Sequence, residues 1–481
     1  LTLIHTHHPV NIAIIGGGFC GTLTALHLLN DNHLPIHIYL INKGYPIAKG
    51  VAYDPHTPSL LLNVPNGRMS AFADMPDHYV QWLKANTLVN HHDEHELAIG
   101  FSTRKQYGDY LAQLWEEALS RKRENKTVTI YNDYADDIIE DGNILNIRLS
   151  DHPPLSVDIA ILATGNALPR LPDDIPELLK ESKYFVADPW KKDCIENLKP
   201  EKDILIIGNG LTMTDTVMGL VENGFKQTIH TISPNGYRLK PWKESKGPYT
   251  DIDIAAVLSQ ETTLLELVKT FNKHRRIAGQ LNQSIYPVID SFRPHTQNLW
   301  QSFNVNEKQQ FIKYINTHWG SARHRLPAKV QHLIEKLREE EQLITHSGHI
   351  SQISEGQDCL NVTLNSKGQL KHLSVQRIIN CTGPETHIKR PGNNLLNNLY
   401  EKGLISPGPC NIGINTCPKN GRIINSNHVQ KTNLFVIGSN LKGILWESTA
   451  IPELRVQAKK LAQHILSEIY SERPQQTTAY Q

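Results

Sequence analysis

Twice in this chain a short apolar run ends on a glycine-rich turn and passes straight into a helical pattern, first at Gly16 and again at Gly208. Strand, glycine turn, helix is the entrance to a βαβ unit, so both regions are committed to a mainly parallel α/β sheet. In the first unit, Val10–Ile15 reads VNIAII, a buried-strand pattern entered after Pro9. It runs into Gly16-Gly17-Gly18-Phe19-Cys20-Gly21, after which Leu23, Leu26 and Leu29 fall close to helical spacing. Gly16 permits the tight turn, Gly18 lets the backbone reach a pyrophosphate, and Gly21 lets the helix approach the sheet. The phosphates would sit at the helix N-terminus, where unpaired amides and the helix dipole favour negative charge. A glycine-rich turn without a ligand is the bland alternative; its place between strand and helix favours the dinucleotide reading.

The second unit is a poorer copy. Asp203–Ile207 (DILII) leads into Gly208-Asn209-Gly210-Leu211-Thr212-Met213, with Asp215 on the next turn, so Met213 replaces the third glycine. The strand after each unit should end on an acid for the adenosine ribose. Asn42 stands there after Ile36–Ile41, and no acid follows the strand expected over 228–232. Ser233, Asn235 and Arg238 could instead receive a 2′-phosphate, favouring NADPH over NADH, although Arg238 is equally compatible with a solvent-facing role. One such unit leaves a dehydrogenase, a methyltransferase or a simple flavoprotein open. Two suggest a flavin fed by a nicotinamide, with one live site and one degenerate duplicate as the competing reading.

At 481 residues the chain has room for about two to four domains. Its 49 Lys and Arg nearly balance 48 Asp and Glu, which gives no reason to expect a nucleic-acid or membrane partner. The six cysteines form no CxxC pair, so reduced thiols in a cytoplasmic protein are expected and no metal is assigned. No run reaches the length of a membrane span. Apolar residues run into Thr-Gly at 160–165 (Thr164, Gly165) and again at 378–384, which suits crossovers between two domains. A further strand over 432–439 ends at Gly438-Ser439 and precedes a C-terminal helix reaching about residue 469. The expected fold is therefore α/β with two Rossmann-like dinucleotide-binding domains, the FAD domain discontinuous in sequence. Residues 1–170 and 400–481 form that domain; 171–399 form the NAD(P) domain, with a helical insert at about 240–330. Residues 1–9 read as a short arm, and the polar tail from 471 as frayed.

Taken together, GGGFCG at 16–21, GVAYDPHTPSLLLNVPNGRMSAF at 50–72, DHYVQWL at 77–83, FSTRKQYGDYL at 101–111 and ATG at 163–165 carry a resemblance. GNGLTMTD at 208–215, FRPHTQNLW at 292–300, HWGSARHRLP at 318–327 and GILWESTAIPELRVQA at 443–458 extend it over nearly the whole chain. The chain resembles bacterial FAD/NAD(P)-binding proteins of the two-dinucleotide-domain group that includes N-hydroxylating and Baeyer–Villiger monooxygenases. Within that group it is most similar to the FAD-NAD(P)-binding family. The resemblance implies FAD in the first domain and NAD(P)H in the second. It places Gly50, Asn63, Val64, Pro65, Met69 and Ser70 along the flavin, with Arg104 and Tyr107 nearby. It has Trp446, Glu447 and Ser448 closing over the isoalloxazine. Some relatives resemble hydroxylases of a purine-type substrate. Where relatives carry an Arg after the second domain's Ser, this chain has Pro234.

In such a protein the cofactor carries the oxygen chemistry, and the protein must exclude water. The stretch NVPNGRMSAF suits such a wall, or a loop packed for stability. Candidate catalytic residues are Arg68, for an anionic substrate or charge on the flavin, His324 as an acid–base, and Trp446 over the ring. Arg323, His324 and Arg325 are consecutive and cannot all enter one pocket. His91 and His95 in HHDEH are spaced for a shared ion only on a helix, and a polar surface is the simpler reading. The expected activity is an FAD-dependent NAD(P)H oxidoreductase, a monooxygenase hydroxylating a small molecule with molecular oxygen. A flavin reductase serving a quinone or other acceptor is the alternative within that class. A non-catalytic FAD-binding interaction protein is the alternative outside it.

Overall fold

The computed structural model describes residues 8–31, 33–86, 93–172, 175–176, 179, 182–242, 257, 262–389 and 392–472. Most of the expected N-terminal arm and of the frayed tail, and His91, lie outside them.

The first sheet has six strands in the order Arg422–Ile424, Gln430–Val436, Ile159–Leu162, Val10–Ile15, Ile36–Ile41, Lys126–Tyr131. All pairings are parallel except the first. Val10–Ile15 lies at the centre, in register with both neighbours: Ile12 opposes Ile38 on one side and Ile159 on the other. Its near-unbroken apolar sequence follows from burial on both faces. One face packs on helices Phe19–Leu29, Arg104–Arg121 and Ile451–Glu472 through Ile12, Ile14, Ile38, Leu23 and Ile465. The other meets a three-stranded antiparallel sheet, Ala135–Asp141, Ile144–Leu149 and Leu155–Val157, and the helix Asn394–Glu401. Each of the wholly buried Ile and Leu side chains contributes roughly 1.5–3 kcal/mol.

The second sheet centres on Asp203–Ile207, which lies between Ile229–Ser233 and Gln369–Asn380, parallel to both. Strand Leu343–Ser347 extends one side and the antiparallel pair Cys359–Ser366 and His349–Gly356 the other. The strand expected over 228–232 is therefore shifted by one residue, and that over 432–439 runs over Gln430–Val436. Hydrogen-bond pairing, not composition, sets such ends.

The two chain crossovers lie side by side: Pro169 pairs with Pro384 in an antiparallel bridge, and the Glu385 amide donates to the Leu168 carbonyl. Between the sheets sits the insert, with helices Leu264–Gln280, Tyr286–Phe292, Thr296–Ser302 and Asn316–Arg323. It is pinned at its far end where Arg325–Leu326 pairs with Lys240–Pro241.

Candidate functional site

The two glycine turns share one construction. Gly16 and Gly208 both have φ +111°, and a Cβ on either would stand 2.3 Å from a backbone oxygen of the neighbouring strand end, Ala163 and Cys381 respectively. Both conformation and contact therefore demand glycine. Gly18 and Gly210 cap the following helices in ordinary extended conformations, φ −76° and −88°. A Cβ on Gly18 would meet only Gly50 Cα, at 3.8 Å, and one on Gly210 nothing within 4 Å. Among the described residues no side chain or backbone crowds either glycine. Each leaves a cradle in front of a helix N-terminus that any side chain would fill, which is the geometry a phosphate needs. Gly165, with φ +69° and open space around it, continues the first cradle, and Thr164 Oγ1 beside it accepts from Asn440.

Several other expected contacts are engaged inside the protein. Asn42 Oδ1 accepts from the Gly17 amide at 3.0 Å and its Nδ2 donates to the Tyr45 carbonyl at 2.8 Å, so this side chain braces the turn. Gly50, φ +54°, stands opposite Gly18. Asn63 presents its carbonyl to the Trp242 indole at 2.9 Å, while Val64 and Met69 are buried. Ser70 and Ser448 are wholly buried; Ser70 donates to the Met75 carbonyl at 2.6 Å and Ser448 to the Gly438 carbonyl at 2.6 Å, so both hydroxyl protons lock backbone turns. Gly438 in turn packs on Cys20, whose thiol burial pushes up to about 12.

Arg104 and Asp215, expected along the flavin and the nicotinamide coenzyme respectively, bind each other at 2.9 Å across the two units, both largely buried. Burial raises the Asp215 carboxyl, and Arg104 opposes that rise. Tyr107 is sealed beside Tyr53 and Tyr79, with ring centroids 4.7 and 5.0 Å away. Thr212 sits in the first turn of Leu211–Glu222, where Met213 is buried in the core. The exposed Arg238 lies near Arg338, whose guanidinium burial depresses, with Arg238 adding like charge.

The three catalytic candidates stand around one cluster of charged residues contributed by the insert and the last helices. Trp446 has φ +59° and ψ −64°, with the Glu447 amide bonded to the Leu445 carbonyl at 2.7 Å. That is a strained γ-turn, rare for a bulky residue. Its ring is buried against Trp300 at 4.5 Å and Phe311 at 5.1 Å, with Lys442 Nζ 5.1 Å above it. Glu447 accepts from the Trp319 indole at 3.3 Å and lies 3.7 Å from Arg323 Nε. The His324 ring is open to solvent, yet surrounding protein lowers its pKa, with Arg323 and Lys442 adding to the fall and Glu447 opposing it. Its Nδ1 donates to the Gly320 carbonyl, 2.9 Å away. Arg68 lies over the Trp242 ring at 5.6 Å, and loss of water, with like charge from Arg293 and Arg325, depresses it. Arg325 is structural: it grips Asp290 with two bonds of 2.9 and 3.1 Å and stacks on Tyr286 and Trp242. Among the described residues no metal-binding cluster occurs, and all six cysteines are free. A surface recess of about 530 Å³ lined by Tyr400, Ser406, Asn415 and His428 includes none of these residues.

A family model described as FAD-NAD(P)-binding matches residues 13–167. The match falls on the first unit and on less than half of the chain. No curated protein matches the sequence. Among solved structures, the L-lysine 6-monooxygenase of Pseudomonas syringae aligns over 96% of this chain and 100% of its own, at 15% identity and a TM-score of 0.65. The ornithine N-hydroxylase of Kutzneria sp. 744, solved with reduced FAD, NADP⁺ and L-ornithine, aligns over 96% and 100%, at 13% and 0.62. The bacillithiol disulfide reductase of Staphylococcus aureus aligns over 96% and 99%, at 12% and 0.57. The fold is that of the two-dinucleotide-domain flavoenzymes, and no helix among the described residues is long and apolar enough to cross a membrane.

Sequence reasoning overlooked Arg293, Asp290, Glu453, Trp242 and Arg338. Trp242, Asp290 and Arg293 come from the insert, Arg338 from the helix Ala328–Glu339 after it and Glu453 from the last helix, and nothing local in sequence marks them.

Proposed function

We propose that the chain is an FAD-dependent oxidoreductase fed by NAD(P)H, and that it hydroxylates a small molecule with molecular oxygen. The observation that carries this reading is the pair of matched cradles at Gly18 and Gly210, each an N-cap glycine with open space in front of a helix N-terminus. The residues present fit FAD at the first cradle, where Gly18, Gly50 and Gly165 leave room for a pyrophosphate against the helix N-terminus. They fit NADPH at the second, where Gly210 would take the pyrophosphate and Arg238 with Arg338 the 2′-phosphate. Bound FAD would supply electron transfer from the nicotinamide and reaction with oxygen. The chain's own part is positioning. The Arg104–Asp215 pair holds the two units together, and Asn42 fixes the first turn. Trp300, Phe311 and Trp446 seal the cleft against water. His324, depressed and next to Glu447, is placed to carry a proton. Division into 1–170 with 400–481, and 171–399 between them, belongs to the same proposal.

The test is anaerobic stopped-flow bleaching of bound flavin by NADPH, with NADH alongside, followed by oxygen and a substrate screen. Bleaching by NADPH and oxygen-dependent product support the proposal. Bleaching with turnover of a quinone but no oxygenated product would make it a reductase. A colourless protein that does not take up FAD sinks the proposal.

A further inference from the structure

Arg325 shows what a satisfied arginine looks like in this cleft: it is buried, and a carboxylate, Asp290, fills its fork. Arg323, two residues earlier, is nearly as buried, with its side chain 8% exposed, yet makes no hydrogen bond among the described residues. Its nearest opposite charge is Glu447 Oε1, 3.7 Å away. Arg293, also 8% exposed, donates through Nε to Glu453 at 3.3 Å and leaves Nη2 without a partner. Leaving such a buried donor unmet costs about 1–3 kcal/mol, more when it is charged. Arg68 and Lys442 add positive charge, and among the described residues only Asp290, Glu447 and Glu453 oppose the group. Two guanidiniums with buried nitrogens left unbonded, and more cations than carboxylates around them, are costly without a ligand.

We infer that this cleft binds the substrate through a carboxylate, held by Arg293 and Arg323 with Arg68 at the mouth. The inference rests on the oxidoreductase reading for the word substrate, but not for the binding itself. Carboxylate is the group that already satisfies Arg325, and its two oxygens match the planar arginine fork. The phosphates of a dinucleotide have their own cradle at Gly210 and their own cations at Arg238 and Arg338. The cleft instead adjoins the 442–448 turn. Glu447, held between Arg323 and the Trp319 indole, positions Arg323.

The test uses acetate, succinate and benzoate as probes, against acetamide, succinamide and benzamide, on the flavin-loaded full chain at low salt. Binding is read by titration calorimetry and by thermal shift. At least one acid should bind and raise Tm while its amide does not, and Arg323→Gln should weaken it about tenfold, the loss of one charge-assisted bond. Arg323→Lys should keep part of the acid affinity that Arg323→Gln loses, since it keeps the charge and gives up only the planar fork; a merely structural arginine would show no such grading. Arg293→Lys should weaken the acid without altering flavin content. Failure of all three acids to bind, or equal binding of acids and amides, overturns the inference. So does unchanged acid affinity in Arg323→Gln, or a loss of NADP⁺ affinity matching that for the acid. Flavin content and NADPH bleaching, measured on the same samples, report separately on the oxidoreductase reading.

Discussion

The two glycine turns agree wherever a phosphate would touch them and differ where it would not. Gly16 and Gly208 share a dihedral and a 2.3 Å approach, and Gly18 and Gly210 share an open cradle. At the third position, a Cβ on Gly21 would lie 1.9 Å from the Gly16 oxygen. In the second unit Met213 occupies that position as a core residue beside Val217 and Leu220. The second helix must therefore stand farther from its turn. Glycine at the third position answers to helix packing, so its loss at Met213 removes nothing from the ligand side. The degenerate-duplicate reading loses one of its supports.

The sharpest way to break this comparison is to exchange the third residues. Gly21→Met should cost more than about 4 kcal/mol and leave little folded protein, because a backbone oxygen cannot yield. Met213→Gly should cost about 3 kcal/mol, the sum of a core cavity and a helix glycine, and still allow NADPH to bleach the flavin. Urea unfolding of both variants decides, and equal tolerance at the two positions would end the distinction. Next, Asp215→Asn should strand the Arg104 charge between the units and lower stability by about 3 kcal/mol. Arg104→Met with Asp215→Leu should be milder, as a double-mutant cycle would record.

Substitution at the cradles separates ligand from fold. Gly18→Val and Gly210→Val should each cost only about 1 kcal/mol, the loss of a favoured N-cap. Gly18→Val should nevertheless lose its flavin, seen in the absorption spectrum, whereas Gly210→Val should keep flavin but resist bleaching by NADPH. Flavin retained in Gly18→Val would move the pyrophosphate elsewhere. Arg338→Gln should raise the KM for NADPH about tenfold and leave that for NADH unchanged.

The smallest effect is confined to the second sheet. Burial holds His346 down to about 4, with Lys371 and His230 adding like charge. The ring is neutral when folded but takes a proton near pH 6.5 once unfolded. Its contribution to stability is thus complete above about pH 6.5 and drains away as pH falls towards about 4. His346→Gln should flatten that part of the stability curve, and a wild-type midpoint constant between pH 7 and 4.5 would count against the burial.

Most of the frame was legible because its signals are contiguous. Gly16 to Gly21 specify a turn through residues that touch one another along the chain, and the apolar strands announce two buried faces. Roles assigned to single side chains fared differently. Asn42, Ser70 and Ser448, expected at ligands, bond to the backbone of neighbouring turns, and Arg104 and Asp215 bond to each other. A hydroxyl or carboxylate in a motif does not reveal which way it faces.

The sequence by itself determined the two βαβ entrances, the chain crossovers at Thr164-Gly165 and Thr382-Gly383, and a last strand that completes the first sheet. Each follows from local sterics and from apolar periodicity, which few neighbouring residues suffice to encode. Only the tertiary structure decided that Arg68, Arg293, Arg323, Lys442, Glu447 and Glu453 act on one another, and that Arg325 fills its fork on Asp290 while Arg323 only approaches Glu447 at 3.7 Å. Those facts depend on partners from remote segments. Charge and hydrogen-bond satisfaction are properties of neighbours in space, and the linear chain does not carry them.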